Sequence, residues 1–408
     1  VFEGLRCYQL KHLQHQHEFI RLWAHESCRV FVDGLSDQDE ISWFHTAVAN
    51  AIEEQFDVKW ELDQFVPSHF GAFNITSNDR DYRERVFPAN ESAGNATSEL
   101  SMAQMVADLT DALFQYQLTA PSMELVLFDD VLRHLSATCR ILRHGRGNML
   151  LLGQSGCGRR SVVKLAAHIN EADIFELRLA RGYGLSEFRE DLKPLLQSAG
   201  LAQRPVVFFL TDGQIVEENF LRDVSSILET GRVPGLFSDE EMNLLCEDLK
   251  QSRPRGSYTS EDTRPTEQIL AENVLKNFHV IMSLVPVGMQ YQRWMRMYPA
   301  LTSWSTVDWY HPWPDRALLA VAQSHLTPNE DSHNVKANEY EDADSEQEPD
   351  GTAKKTLLDD VDQVCQACVG ITDAVNIQLE KIPSTSLIIT PKFFVELLKL
   401  FRLDIQIK

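Results

Sequence analysis

Long apolar runs are missing from this chain. Nowhere in its 408 residues do 18 apolar residues stand together, so no segment reads as a membrane-spanning helix. An initiating Met and the apolar stretch of a secretory leader are also missing. The chain opens Val1-Phe2-Glu3-Gly4-Leu5-Arg6 and reads as a fragment or an incomplete gene model. There is no basic excess: 38 Lys+Arg stand against 60 Asp+Glu, a net charge of −22, which argues against a nucleic-acid-binding module. Cysteine is scarce. Seven residues, an odd number, with Cys28, Cys139 and Cys246 in apolar or helical surroundings, make no disulfide scaffold and point to a reducing cytosol. Cys365-Gln-Ala-Cys368 has no second such pair and no His-x-x-His beside it to complete a zinc site, so it reads as two thiols buried in a helix. Glycosylation sequons at Asn74, Asn90 and Asn95 come without a leader and read as chance.

What is present is ordinary globular material, 43% hydrophobic and 24% charged, enough for a real core. At ~150 residues per domain, the length suggests two or three structural units. Residues 1–66 are helical in pattern, with Phe19, Leu22, Trp23, Val30 and Phe31 near helical spacing. Residues 67–126 read as a linker or insertion with a helical entry. Within them, 74–100 are rich in Asn, Ser, Asp, Gly and Pro and read as a long loop, and helical pattern returns from about Met102.

From 127 to 315 the pattern alternates. Strands are expected at Asn148–Leu152, Ile174–Leu179, Val206–Leu210, His279–Val285 and Ser305–Trp309. Helices are expected at Leu127–His144, Ser161–Ile169, Leu185–Ser198, Glu217–Thr230 and Thr266–Lys276. Alternation of this kind implies an α/β fold, a five-stranded parallel sheet flanked by helices. Residues 316–326 begin a further helical part. Residues 327–356 are an acidic tract, with nine acidic residues and one lysine between Glu330 and Asp350, expected to stay disordered. Residues 357–408 are helical again, with Thr390-Pro391 as a helix start.

The stretch that carries chemistry is Gly153-Gln154-Ser155-Gly156-Cys157-Gly158-Arg159-Arg160-Ser161. A phosphate-binding loop needs glycines because backbone N–H groups must wrap closely around phosphate oxygens. It also calls for Lys after the last glycine and a Ser or Thr hydroxyl next for Mg²⁺. Here Arg159 takes the lysine position, Arg160 takes the hydroxyl position, and the hydroxyl arrives one residue late at Ser161. The bland alternative is a glycine-rich turn with no ligand. Its place after a buried strand and before a helix favours the nucleotide loop.

Such a site needs a carboxylate at the end of a second buried strand, and Asp212 after Val207–Thr211 provides one for Mg²⁺. The groups for hydrolysis are thin. Gly213 stands where a general base is usual, and Glu217 and Glu218 lie further on, where acids also suit a helix start. Val285 stands where a water-orienting polar residue is common, with Ser283 two residues back. The residues argue for binding without efficient turnover.

With these residues in view, the chain resembles a dynein heavy chain of axonemal or ciliary style, over nearly its whole length. The likeness is to the fourth AAA+ module of the motor ring. It is carried by Arg146–Ser161, by Arg181-Gly-Tyr183-Gly with Phe188-Arg-Glu-Asp-Leu192, and by Phe209-Leu-Thr-Asp-Gly-Gln-Ile215. Gly231-Arg-Val-Pro-Gly-Leu-Phe237, Met297-Tyr-Pro299-Ala-Leu301 and Asp308-Trp309 with Trp313-Pro314 complete it. Arg21–Asp33 resembles the helical lid that closes the preceding module, and Ile389–Leu398 the lead-in to the stalk coiled coil. Arg160 departs from the family's loop, and neither 74–100 nor 327–356 has a clear counterpart.

The resemblance implies an AAA+ P-loop fold with helical lid segments. It implies ATP or ADP with Mg²⁺ as cofactors, and Leu127 and Phe128 beside the adenine. It implies Arg296, or less readily Arg293, as an arginine reaching toward the preceding module; the alternative for both is a surface arginine on a helix. Arg29 is either a lid arginine or an ion-pair partner of Glu26 or Asp33. The implied partners are the remaining modules of the same heavy chain, intermediate and light chains, and microtubules through a stalk outside this segment, with no nucleic acid and no membrane. The implied place is the cytoplasm and cytoskeleton, in the axoneme of a cilium or flagellum. Three functions remain open at this point: a regulatory nucleotide-binding module, a slowly hydrolysing ATPase module, and an empty structural segment of the ring.

Overall fold

The computed structural model of the chain describes residues 5, 16–32, 35, 37–60, 69–71, 83–86, 96–121, 123, 125–252, 265–326, 355–381 and 390–407. Helices α1 (Gln16–Phe31) and α2 (Gln38–Phe56) come first. A two-stranded antiparallel ribbon follows, β1 (His69–Gly71) with β2 (Arg83–Val86), then α3 (Ala96–Thr119) and α4 (Asp129–Arg143). Strand and helix then alternate through β3 (Met149–Gly153), α5 (Arg159–Ile169), β4 (Asp173–Glu176), α6 (Leu185–Gln197) and β5 (Val206–Thr211). The series continues with α7 (Glu218–Thr230), α8 (Asp239–Ser252), α9 (Thr266–Asn277), β6 (Phe278–Leu284), α10 (Met289–Met297), α11 (Ala300–Ser303) and β7 (Thr306–Tyr310). Three helices close it: α12 (Asp315–Leu326), α13 (Lys355–Glu380) and α14 (Pro391–Ile407).

The five expected strands are present and parallel, in the order β4-β5-β6-β3-β7. The central strands β3 and β6 are buried at every residue, and β5 at all but its last, as near-continuous apolar runs demand when helices cover both faces. On one face Leu150, Leu152, Phe208, Leu210, Val280 and Met282 join Phe188 and Leu192 of α6 and Phe220 and Val224 of α7 in one core. Phe188 and Phe220 stack there with centroids 4.3 Å apart and planes within 4°. α4 and α5 pack against each other.

Three expectations needed adjustment. The second strand stops at Glu176 rather than Leu179, because this edge strand pairs only with β5, and its ladder ends at Glu176 opposite Phe209. Two segments inside or bordering 74–100 are ordered elements, the strand at Arg83–Val86 and the helix from Ala96, whereas a loop was expected there with helix only from about Met102. Pairing with His69–Gly71 gives the first its form, and that partner is not visible as periodicity. Helix α8 was not foreseen. It opens with three acids, Asp239, Glu240 and Glu241, which suit a helix start, and buries Leu245 and Leu249 against Ile269 and Leu270 of α9.

The chain divides into two compact units. The first holds Val1–Gly153 and Gly158–Tyr310, and the second holds Gln154–Cys157 with His311–Lys408. In the first, Ile20 and Ala24 of α1 meet Val48 and Ile52 of α2 in a small core with Trp23, Phe44 and Phe56. Glu26 of α1 is fully buried. Its Oε2 accepts from Arg29 Nε at 2.9 Å and its Oε1 lies 3.9 Å from Arg140 Nη1 of α4, so Arg29 is an ion-pair partner within its own helix.

In the second unit, α12 packs on both α13 and α14, and Cys365 and Cys368 are buried along α13, the helical thiols expected. No helix among the described residues is long and apolar enough to cross a membrane. Of the acidic tract expected at 327–356, residues 327–354 lie outside the described residues, and Lys355 and Thr356 begin α13; the sequon asparagines Asn74, Asn90 and Asn95 also lie outside them.

Candidate nucleotide site

The turn after β3 is built on two glycines in left-handed backbone, Gly156 at φ +85° and Gly158 at φ +89°. Side chains strain that conformation, which is why glycine stands at both positions. Gly158 is the N-cap of α5 and offers no capping side chain, and its carbonyl accepts the helix's first bond from Val162 N at 3.0 Å. The first-turn N–H groups of Arg159, Arg160 and Ser161 have no partner inside the helix, which gives the turn the polarity of an anion site. Within the turn Cys157 is buried and its thiol donates to Gln154 O at 3.0 Å. Gln154 and Gly158 are half-buried and Ser155 and Gly156 are exposed. A β-carbon added to Gly156 would lie 2.9 Å from the backbone nitrogen of Lys392, at the start of α14.

The two arginines of the loop point to different partners. Arg159 is buried, and its Nη1 donates to Leu284 O at 2.6 Å and to Leu151 O at 3.3 Å. Arg160 is half exposed, with Nε 3.7 Å from Glu176 Oε1, an oxygen also 3.4 Å from Lys164 Nζ. Ser161 is half-buried in the first turn of α5.

Asp212 stands at the carboxyl end of β5, on the sheet edge where β3 runs into its turn, with β6 between the two strands. Two strand spacings separate them, about 10 Å. The Asp212 carboxylate is exposed and accepts from Gly213 N at 2.9 Å. Its loop is held by Gln214, a residue the sequence reading passed over. Gln214 Oε1 accepts from Thr211 N and Oγ1 at 2.8 and 2.9 Å, and its amide donates to Leu177 O at 2.8 Å. A buried amide directly after a strand-end Asp-Gly was the available signal.

The candidate bases and arginines are placed as follows. Glu217 is the N-cap of α7. Glu218 Oε2 accepts from Arg293 Nη2 at 3.0 Å and its carbonyl accepts from Tyr298 OH at 3.1 Å. Arg296 is exposed in the last turn of α10. Val285 is half-buried just past β6, and Ser283 is buried inside that strand, level with Thr211. Leu127 and Phe128 are half-buried, Phe128 as the N-cap of α4. A cavity of about 670 Å³ lies elsewhere, walled by Leu196, Val233, Phe237, Leu245, Leu270 and Val274, and takes no residue from the loop or from Asp212.

A strand, a two-glycine turn and a helix, with a carboxylate on the same sheet edge, make a P-loop arrangement. The family model described as "P-loop containing dynein motor region D4" matches residues 123–403. The chain belongs to this D4 family.

Human dynein axonemal heavy chain 1 is 30% identical over 409 residues, covering 98% of this chain and 9% of that protein. Human dynein axonemal heavy chain 6 is 34% identical over 75% of this chain and 7% of its own length. The dynein-1-beta heavy chain of the flagellar inner arm I1 complex of Chlamydomonas reinhardtii is 35% identical over 76% of this chain and 7% of its own length. The chain therefore spans less than a tenth of the length of these relatives. Within the D4 match, the AAA+ P-loop class implies nucleotide binding, usually with Mg²⁺. Among the described residues there is no group of three or more His, Cys, Asp or Glu that could hold a metal ion.

Proposed function

We propose that residues 153–161 bind ATP or ADP with Mg²⁺, and that this D4 module holds its nucleotide without turning it over efficiently. The observation that carries the reading is the pair of left-handed glycines, Gly156 and Gly158, in the turn between a fully buried strand and a helix N-terminus. Main-chain N–H groups from Gly153 through Ser161 would cradle the phosphates, as the donor set of such a turn suits.

The Ser161 hydroxyl and the Asp212 carboxylate would hold Mg²⁺, a hard cation that takes oxygen ligands and keeps several waters. A bound Mg²⁺ supplies positive charge to the phosphate oxygens. Leu127 and Phe128 would flank the base. Arg296, exposed at the end of α10, would reach toward the preceding module.

The low-turnover reading is supported by what stands near Asp212. Gly213 carries no base, and Glu218 is engaged with Arg293 at 3.0 Å. Through its relatives, the reading extends to a module of an axonemal-type dynein heavy chain in minus-end-directed microtubule movement. It would act there with the other modules of the chain, with intermediate and light chains, and with microtubules through a stalk.

Mass spectrometry of the denatured chain tests the site. Wild type should release ADP or ATP in near-stoichiometric amount, and Gly158→Val should release none. A Gly158→Val protein that keeps its nucleotide would place the site elsewhere.

A further inference from the structure

Arg159 stands where a phosphate-loop lysine would extend toward the outer phosphates, yet its side chain is buried in the protein. It is the first residue of α5 and is 8% exposed. One terminal nitrogen, Nη1, donates to the carbonyl of Leu284, the last residue of β6, at 2.6 Å, and to that of Leu151 in β3 at 3.3 Å. β3 and β6 are adjacent parallel strands, with Leu151 level with Ser283 and Leu152 level with Leu284. The guanidinium thus joins the first turn of α5 to two neighbouring strands at once, where β6 runs on to Val285. Hydrogen bonds from a charged donor are the stronger kind, and a buried cation that leaves such acceptors loses them.

We propose that Arg159 is a positioning residue that clamps the start of the phosphate-loop helix onto β3 and β6, and that its side chain is not a phosphate ligand. The inference rests on the nucleotide reading above and deepens it. A clamp of this kind leaves the phosphates to the loop's main-chain N–H groups. ATP then gains little over ADP, since the group that would meet the extra phosphate is held at Leu284 O.

Arginine and lysine part here for a physical reason. The guanidinium is a planar multi-donor group suited to bridging fixed carbonyls, whereas an ammonium is a compact, strongly hydrated point charge on a flexible stem. Lysine at 159 would hold both carbonyls poorly and would swing toward the phosphates. The substitution should therefore create a discrimination that the natural residue lacks.

The test uses the full chain, stripped of nucleotide, with Mg-ATP and Mg-ADP titrated calorimetrically into wild type, Arg159→Lys and Arg159→Met. Amide hydrogen exchange is followed in α5 and at the end of β6. Wild type should bind the two nucleotides within about threefold, Arg159→Met should weaken both alike and keep their ratio within about threefold, and Arg159→Lys should favour ATP by about tenfold or more. Both variants should exchange faster than wild type at the start of α5 and the end of β6. An ATP affinity that falls about tenfold or more further than the ADP affinity in a folded Arg159→Met protein, or no gain in ATP preference in Arg159→Lys, would overturn the proposal. If Arg159→Met does not fold, Arg159→Lys decides alone. A wild type that binds neither nucleotide defeats the nucleotide reading, and the exchange data then support or refute the clamp by themselves.

Discussion

His134 of α4 and Asp308 of β7 form a buried pair, the ring Nδ1 lying 2.8 and 2.9 Å from the two carboxylate oxygens. Tyr310 stacks on the same imidazole, centroids 3.7 Å apart and planes within 9°. The pair ties the helix before the P-loop strand to the outer strand of the sheet. Removing one partner of a buried hydrogen-bonded pair and leaving the other unsatisfied typically costs ~1–3 kcal/mol. Asp308→Ala should lower stability by about that amount, read as a shift of the urea midpoint. A loss under ~1 kcal/mol would mean that β7 is held by its ladder and packing alone.

The two loop glycines should respond differently to alanine. At Gly158 an added β-carbon meets nothing within 4 Å, so Gly158→Ala adds only the strain of a positive φ, about 1–2 kcal/mol. At Gly156 the same strain applies, and the β-carbon would also press on the backbone of Lys392, 2.9 Å from its nitrogen and 3.1 Å from its α-carbon. Thermal melts should show the larger loss for Gly156→Ala. Equal losses would mean that the start of α14 yields at little cost.

Glu26 should anchor α1 to α4. Burial by itself pushes its carboxyl pKa up, but Arg140, Arg29 and His25 outweigh burial and hold it below the ordinary value. Glu26→Ala removes the buried carboxylate that faces Arg29 and Arg140 and should cost ~3–5 kcal/mol. An unchanged melting temperature would show that α1 contributes nothing to the stability of this unit.

Acid should weaken the fold in two stages. His279 is buried, its Nδ1–H donates to Gly147 O at 2.7 Å, and burial lowers its pKa. A histidine kept neutral by folding adds stability above the unfolded value of ~6.5, and that stability fades as pH falls from there toward the folded value. Burial lowers the His45 pKa in the same sense. The Glu26 contribution is present above the unfolded carboxylate value of ~4.3 and fades below it, as pH falls through the lowered folded value. Melting temperature should therefore drop between about pH 7 and 5 and again below about pH 4. His279→Gln should flatten part of the first drop. A first drop of undiminished size in that variant would assign it to other groups.

Turnover should be close to background. Losing a single electrostatic group from an active site often costs ~10²–10³ in rate, and such losses in a coupled site do not simply multiply. Single-turnover hydrolysis by the purified chain with Mg²⁺ measures this. Gly213→Glu alone should not raise the rate, because Val285 and Arg159 remain. Hydrolysis of several turnovers per second would show that another base operates, and Glu217→Gln and Glu218→Gln would be the next variants to make.

The alternation of apolar strands and amphipathic helices, the glycine loop at 153–158 and the strand-end Asp212 were all legible in the one-dimensional order. Each rests on local spacing. Fully buried strands are uninterrupted apolar runs, left-handed turns need glycine, and a helix must follow the loop to bring its N–H groups to bear. The direction of a side chain is not local. Arg159 was expected to face phosphates, and only the pairing of β3 with β6 brings the Leu284 and Leu151 carbonyls within its reach.

The same holds for Gln214, whose amide joins the ends of β4 and β5, and for His134, which looked like one scattered histidine until β7 carried Asp308 to it across 174 residues. The ribbon strand at Arg83–Val86 lies in sequence that reads as loop, because its form depends on a partner strand rather than on its own composition. By itself, then, the sequence determined the class of fold and the place of the glycine turn between β3 and α5, through rules that act within a few residues. Which charges meet which carbonyls and carboxylates was decided by contacts between residues far apart in the chain, which no spacing encodes.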